Sequence, residues 1–126
     1  MTSIEVITLF VEDIAESKAF YGAVFKPEVI YLDDVSSVLK FEGVMVNLLD
    51  TSNAPELVEP APVGSAGSGA RFLLTIKVAD VDAACVTLRE RGARLLNGPI
   101  DRPWGRRTAA FADPSGNVWE VAQELT

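Results

Sequence analysis

Val6-Ile-Thr-Leu-Phe-Val-Glu-Asp13 and Leu73-Leu-Thr-Ile-Lys-Val-Ala-Asp80 are one pattern written twice. Each alternates as a strand does, runs into an aspartate and is followed by apolar residues at helical spacing. Val6 and Leu73 stand 67 positions apart in a chain of 126, so the pattern predicts two copies of one strand-helix-strands unit. Two half-size units could not each bury an adequate core, whereas 126 residues with 48% hydrophobic content suffice for a single domain.

Outward from the first copy, Asp13 is placed to cap a helix, and Glu16 three positions on has the spacing of a capping box. Ile14, Ala15, Ala19, Phe20 and Val24 recur at helical spacing to about residue 24. Three apolar runs follow, 28 to 32, 36 to 42 and 44 to 49, broken by Asp33-Asp34 and Glu42-Gly43, as in a meander. Residues 51 to 70 have no apolar period and are thick with Pro, Gly, Ser and Ala. They read as a mobile connection, either plain linker or ligand lid. After it the order repeats: a strand over 71–78, a helix capped by Asp80 carrying Val81, Ala84, Cys85 and Leu88, and Gly92 where a helix ends on positive φ. Strands near 94–97, 106–112 and 117–123 complete the second copy, with Asp113-Pro-Ser-Gly-Asn117 as a tight hairpin turn. The predicted class is α+β, two βαβββ modules in one domain: about 1–50, a linker 51–70, and about 71–126.

Composition narrows the function classes. No apolar run approaches the roughly 20 residues of a membrane span, and the start lacks a basic segment followed by an apolar block. A soluble, cytoplasmic protein without a membrane partner is expected. Cys85 is the only cysteine, so an internal disulfide is impossible. Its place on the apolar helix face makes it a packing residue rather than a nucleophile. Eighteen acidic against eleven basic residues give a net charge of -7, which disfavours nucleic acid and suits a cationic or neutral small ligand. There is no histidine, which removes the usual proton shuttle near neutral pH and any Ser-His-Asp hydrolase. Gly64-Ser-Ala-Gly-Ser-Gly69 lacks the Lys-Ser/Thr ending and the helix of a phosphate loop.

Three segments, Asp13-Ile-Ala-Glu-Ser-Lys-Ala-Phe-Tyr21, Pro103-Trp-Gly105 and Asp113-Pro-Ser-Gly-Asn-Val-Trp-Glu120, resemble the vicinal oxygen chelate superfamily. This is the glyoxalase, bleomycin resistance protein and extradiol dioxygenase group. The resemblance covers nearly the whole chain except the linker. It implies βαβββ modules whose sheets curl into a cup with helices outside, often completed by a second subunit, hence a homodimer. Metal-using members place ligands early in the first strand and late in the last strand of each module. On the matching positions this chain has Val6, Asn47, Leu73 and Glu120. Alkyl side chains donate no lone pair, so one carboxylate and one amide oxygen are too few for a divalent metal. No metal and no cofactor is expected.

Strand parity names the residues that line the cup. If Val6 and Leu73 point inward, so do Thr8, Phe10, Thr75 and Lys77, while Leu9, Val11, Leu74, Ile76, Trp119 and Val121 face the helices. Such a mixed wall suits a small molecule, although a small cup can also fill with its own side chains. Phe10 and Trp104 offer flat surfaces for an aromatic ligand, and Met45 is read as packing. Of Arg106 and Arg107, neighbours on a strand, only one can face inward, and Arg107 is taken as the ligand-facing one. Glu120 needs a donor: Lys77, an arginine, Asn47 or a ligand cation. The candidate ligand-binding set is therefore Glu120, Asn47, Phe10, Thr8, Thr75, Lys77, Trp104 and Arg107, with Glu120 the one candidate acid or base. Three functions compete. The first is a metal-independent binding protein like the bleomycin resistance branch, holding a cationic or aromatic small molecule. The second is a glyoxalase- or dioxygenase-type enzyme with an incomplete metal site, and the third a metal-free lyase or isomerase using Glu120.

Overall fold

Asp13 begins the first helix by accepting a hydrogen bond from the Glu16 amide at 3.0 Å, and Asp80 begins its counterpart by accepting from the Ala83 amide at 3.1 Å. Each aspartate satisfies an amide that would otherwise lack a partner at the helix start. In the computed structural model, which describes residues 1–126, these caps sit at equivalent points of two units, Met1–Ser68 and Gly69–Thr126. The fold class is α+β: each unit is a four-stranded mixed sheet with the order strand, helix, three strands.

In the first unit β1 (Val6–Val11), α1 (Ile14–Val24), β2 (Glu28–Leu32), β3 (Ser36–Phe41) and β4 (Val44–Asp50) follow one another. The sheet order is β1-β4-β3-β2, with β1 parallel to β4 and the other pairs antiparallel. The core lies between α1 and the sheet face carrying Leu9, Val11, Leu39, Val46 and Leu48, all buried. Full burial of each such side chain is worth about 1.5–3 kcal/mol. The buried stripe of α1 is Ser17, Tyr21 and Val24, not the expected row through Ala15 and Ala19, which are exposed. Tyr21 sets that choice: it is fully buried and stacks on Phe25, which meets Phe41 edge-on.

Residues 51–70, expected as a mobile connection, carry three short helical turns: Thr51–Asn53, α2 (Pro55–Val58) and Ala66–Ser68. Asp50 caps the first by accepting from the Ser52 amide, Pro55 opens the second, and the Glu12 carboxylate accepts from the Ala66 amide at 2.6 Å. The segment up to Ser68 groups with the first unit.

The second unit contains β5 (Leu74–Lys77), α3 (Val81–Glu90), β6 (Leu95–Arg102), β7 (Arg106–Ala112) and β8 (Val118–Glu124), in sheet order β5-β8-β7-β6. Val81, Cys85 and Leu88 form the buried stripe of α3, against Phe111, Trp119 and Val121 on the sheet. Burial pushes the Cys85 thiol pKa up, as befits a packing side chain. β6 runs well past the expected residue 97 because bulges carry it through Gly98-Pro99. A Cβ on Gly98 would collide with the Thr108 carbonyl and the Ala109 backbone, so only glycine lets the two strands approach there. The hairpin before β8 is built on Asp113, whose carboxylate accepts from the Ser115 and Asn117 amides and from Asn117 Nδ2. No helix is long and apolar enough to cross a membrane.

Candidate functional site

Trp119 and Val121 are buried on the helix side of β8, which turns Glu120 to the opposite, open face. The parallel register sets Thr75 beside Glu120 and Lys77 beside Ala122. Thr75 Oγ1 donates to Glu120 Oε1 at 3.0 Å. Across the other neighbour the register sets Ala110 beside Glu120 and Arg106 beside Glu124. The open face of the second sheet thus carries a carboxylate with one side-chain donor, flanked by the exposed cation of Lys77. Arg106 lies further along the same face, held by Glu124 through contacts of 2.6 and 2.8 Å.

The face of the first sheet turned away from α1 repeats the arrangement with an amide in place of the acid. Leu9 and Val11 are buried towards α1, so Thr8 and Phe10 face away from it, and the register sets Thr8 beside Asn47. Asn47 Oδ1 is buried and has no hydrogen-bond partner. An unsatisfied buried acceptor forfeits about 1–3 kcal/mol, which the fold tolerates at this one carbonyl of the face. Phe10 is half-buried beside Leu49, and Met45 is half-buried beside Val6.

Arg107 requires a correction. Its guanidinium donates to Asp82 on α3 and to Asp101 on β6, each at 2.9 Å, so it lies on the helix side and not on the face of Glu120. The expectation failed because adjacent strand residues alternate faces and only the register with β8 decides which is which. Arg106 is the arginine on the Glu120 face, and counting back from Glu120 through the β7–β8 pairing is the signal that finds it. Trp104 stands in the β6–β7 turn, 66% exposed. Arg102, unremarked in the sequence, donates to Thr108 Oγ1 at 2.9 Å and braces that hairpin.

A divalent metal of the kind used by some members of the resembled superfamily does not fit these residues. The first sheet offers the hydrocarbon of Val6 and the amide of Asn47, and the second the hydrocarbon of Leu73 and the carboxylate of Glu120. No cluster of three or more His, Cys, Asp or Glu side chains is assembled anywhere in the chain. A single amide oxygen on one sheet and a single carboxylate on the other each fall short of the three or four ligands that such ions take.

Comparison with known proteins agrees with the fold. The family described as Glyoxalase/Bleomycin resistance protein/Dioxygenase superfamily matches residues 3–121. The uncharacterized protein YraH of Bacillus subtilis (strain 168) is 31% identical over 123 residues, 94% of this chain and 96% of its own. A glyoxalase/bleomycin resistance protein/dioxygenase from Nocardioides superposes with a TM-score of 0.86 at 25% identity, over 99% of this chain and 85% of that one. TnmS3, an antibiotic binding protein from Streptomyces sp. CB03234, superposes with a TM-score of 0.72 at 28% identity, over 98% of this chain and 97% of its own.

Proposed function

Since this chain belongs to the Glyoxalase/Bleomycin resistance protein/Dioxygenase superfamily, we propose that it is a metal-independent small-molecule binding protein whose ligand is cationic or aromatic. The observation that carries the reading is Glu120: its carboxylate receives one side-chain donor, Thr75, and keeps acceptor capacity on an open sheet face. A ligand ammonium, amide or hydroxyl would complete it through a charge-assisted hydrogen bond. The unpartnered Asn47 carbonyl on the other sheet asks for the same kind of group, a donor. The net charge of -7 draws cations towards the surface. An antibiotic binding protein among the structural relatives supports the class. In this reading the whole of 1–126 acts as one domain, cytoplasmic and homodimeric, with Thr8, Phe10, Lys77 and Trp104 as further ligand contacts.

Thermal-shift screening against aromatic amines and cationic antibiotic-like compounds, followed by calorimetry, tests it. A ligand at one hundred times its dissociation constant adds about 2.7 kcal/mol of stability. Glu120→Gln is expected to weaken binding at least tenfold, on the order of 1.4 kcal/mol, and a chelator is expected to leave it unchanged. Undiminished affinity in Glu120→Gln refutes the assignment. Conversion of a bound compound, followed by mass, would give Glu120 the acid-base role of an enzyme instead.

A further inference from the structure

On the face of the second sheet turned away from α3, the register sets Asn97, Ala110 and Glu120 side by side across β6, β7 and β8. The next row along that face is Ile100, Thr108 and Ala122. Arg102, beyond both rows on β6, reaches back over them: its Nε donates to Thr108 Oγ1 at 2.9 Å and its Nη2 to Asn97 Oδ1 at 3.4 Å. Both acceptors are neutral. The other two arginines of this hairpin are neutralised by carboxylates, Arg106 by Glu124 at 2.6 Å and Arg107 by Asp82 and Asp101 at 2.9 Å each. Asp101, the acid next to Arg102 in sequence, is turned to the helix side with Arg107, and no carboxylate of the chain pairs with Arg102. A guanidinium offers more N–H donors than these two bonds use, so the Nη1 edge of a half-buried arginine has no acceptor within the chain.

We propose that Arg102 is the anion-binding residue of the Glu120 face and that the ligand is a zwitterion, its ammonium held by Glu120 and its carboxylate by Arg102. This narrows the Glu120 reading above and rests on it. The two charges share a face without neutralising each other, for Glu120 and Arg102 form no ion pair and the side chain between their strands, Ala110, is a single methyl. β6 and β8 stand two strand spacings apart, about 10 Å, so the ligand that bridges them carries its own charges several ångströms apart. Arg102 is held in place before binding by the buried Thr108, which lowers the entropy that a ligand must overcome. The planar edge of a guanidinium meets a carboxylate through two parallel hydrogen bonds. The net charge of -7 does not oppose this. Residues 1–68 hold eleven acids and three bases, whereas residues 69–126 hold seven acids and eight bases, so the unit that carries Arg102 does not repel an anion.

Nitrogen–proton NMR titration of the full chain, with three probes built on one ring, tests this. The probes are para-(aminomethyl)benzoate, which carries both charges, benzylamine, which lacks the carboxylate, and para-methylbenzoate, which lacks the amine. The wild-type chain is expected to bind the first at least about tenfold more tightly than either of the others, as one added charge-assisted hydrogen-bond pair implies. Arg102→Gln is expected to abolish the advantage over benzylamine, the two then binding within about twofold of each other, and Glu120→Gln to abolish the advantage over para-methylbenzoate. The comparison of probes on the wild-type chain needs no variant, so it decides the matter even should Arg102→Gln fold poorly. Benzylamine bound through Glu120 with no gain from the added carboxylate overturns the zwitterion and leaves the Glu120 reading standing. A gain that survives Arg102→Gln overturns the assignment of Arg102. Failure of both amines to bind overturns the zwitterion and the Glu120 reading together.

Discussion

Arg107 Nη2 donates to Asp82 Oδ1 at 2.9 Å while its Nη1 donates to Asp101 Oδ1 at 2.9 Å, so one guanidinium ties β7 to the first turn of α3 and to the neighbouring strand β6. The hydrogen bonds to Asp101 and then Asp82 raise its pKa above the ordinary arginine value. The role is structural, and removing it should leave the opposite face of the sheet alone. Arg107→Ala is expected to lower the thermal midpoint by about 2–4 °C and to keep ligand affinity within about twofold of wild type. Arg107→Lys should not recover the midpoint, because an ammonium lacks the planar fork that reaches two carboxylates at once. Differential scanning calorimetry with parallel titrations decides it, and a large loss of affinity in Arg107→Ala would return this residue to the binding face.

Asp33 gives the molecule an acid-sensitive turn between β2 and β3. The Tyr31 hydroxyl foremost, then the Val35 amide and the Ser36 hydroxyl, hold its carboxyl at a pKa of about 2 against an ordinary 3.8. Because the folded-state value is depressed, the fold favours the ionised form, and this stabilisation is fully present above the unfolded-state value. It is lost as pH falls through the window from about 3.8 to about 2. Urea denaturation across that window is expected to show stability falling less steeply in Asp33→Asn than in wild type. Equal slopes would mean that Asp33 is no better bound in the folded chain than in the unfolded one.

The elements were legible where one residue decides them locally. Asp13 and Asp80 announce helix starts because a side-chain cap needs only the next turn, and Asp113 to Asn117 announce a hairpin because that carboxylate serves amides two and four residues on. Strand limits depended on partners instead. β5 starts at Leu74 rather than 71, opposite Trp119 near the start of β8, and β6 outruns its apolar signal because β7 continues beside it. Alternation from Val6 and Leu73 put Leu9, Val11, Trp119 and Val121 on the helix side, where they are buried, but the placing of Thr75 beside Glu120 follows only from the β5–β8 register. It could not separate Arg106 from Arg107, since that choice follows from the β7–β8 register and from where Asp82 lies on α3. The lone acceptor of Asn47 was beyond sequence reading, for satisfaction depends on which side chains converge around an atom.

Asn47 and Ser17 supply a matched pair of tests, because Asn47 Oδ1 and Ser17 Oγ are both buried polar atoms without a partner. Removing such an atom without leaving a hole relieves its desolvation cost, so Asn47→Leu and Ser17→Ala are each expected to gain about 1 kcal/mol in urea denaturation. Their effects on binding should part. Ser17 lies on the buried face of α1, between helix and sheet, where no ligand reaches, and Ser17→Ala should bind as wild type does. Asn47 is only half-buried and lies beside Thr8 on the sheet face turned away from α1, so a small side-chain movement would bring its shielded carbonyl to a ligand donor, and Asn47→Leu should lose at least tenfold in affinity while gaining stability. A residue that costs stability and gives back affinity is the signature of a site kept for recognition. If Asn47→Leu gains stability and binds unchanged, its carbonyl is an ordinary packing defect. If it loses stability, the carbonyl is satisfied within the folded chain and plays no part in recognition.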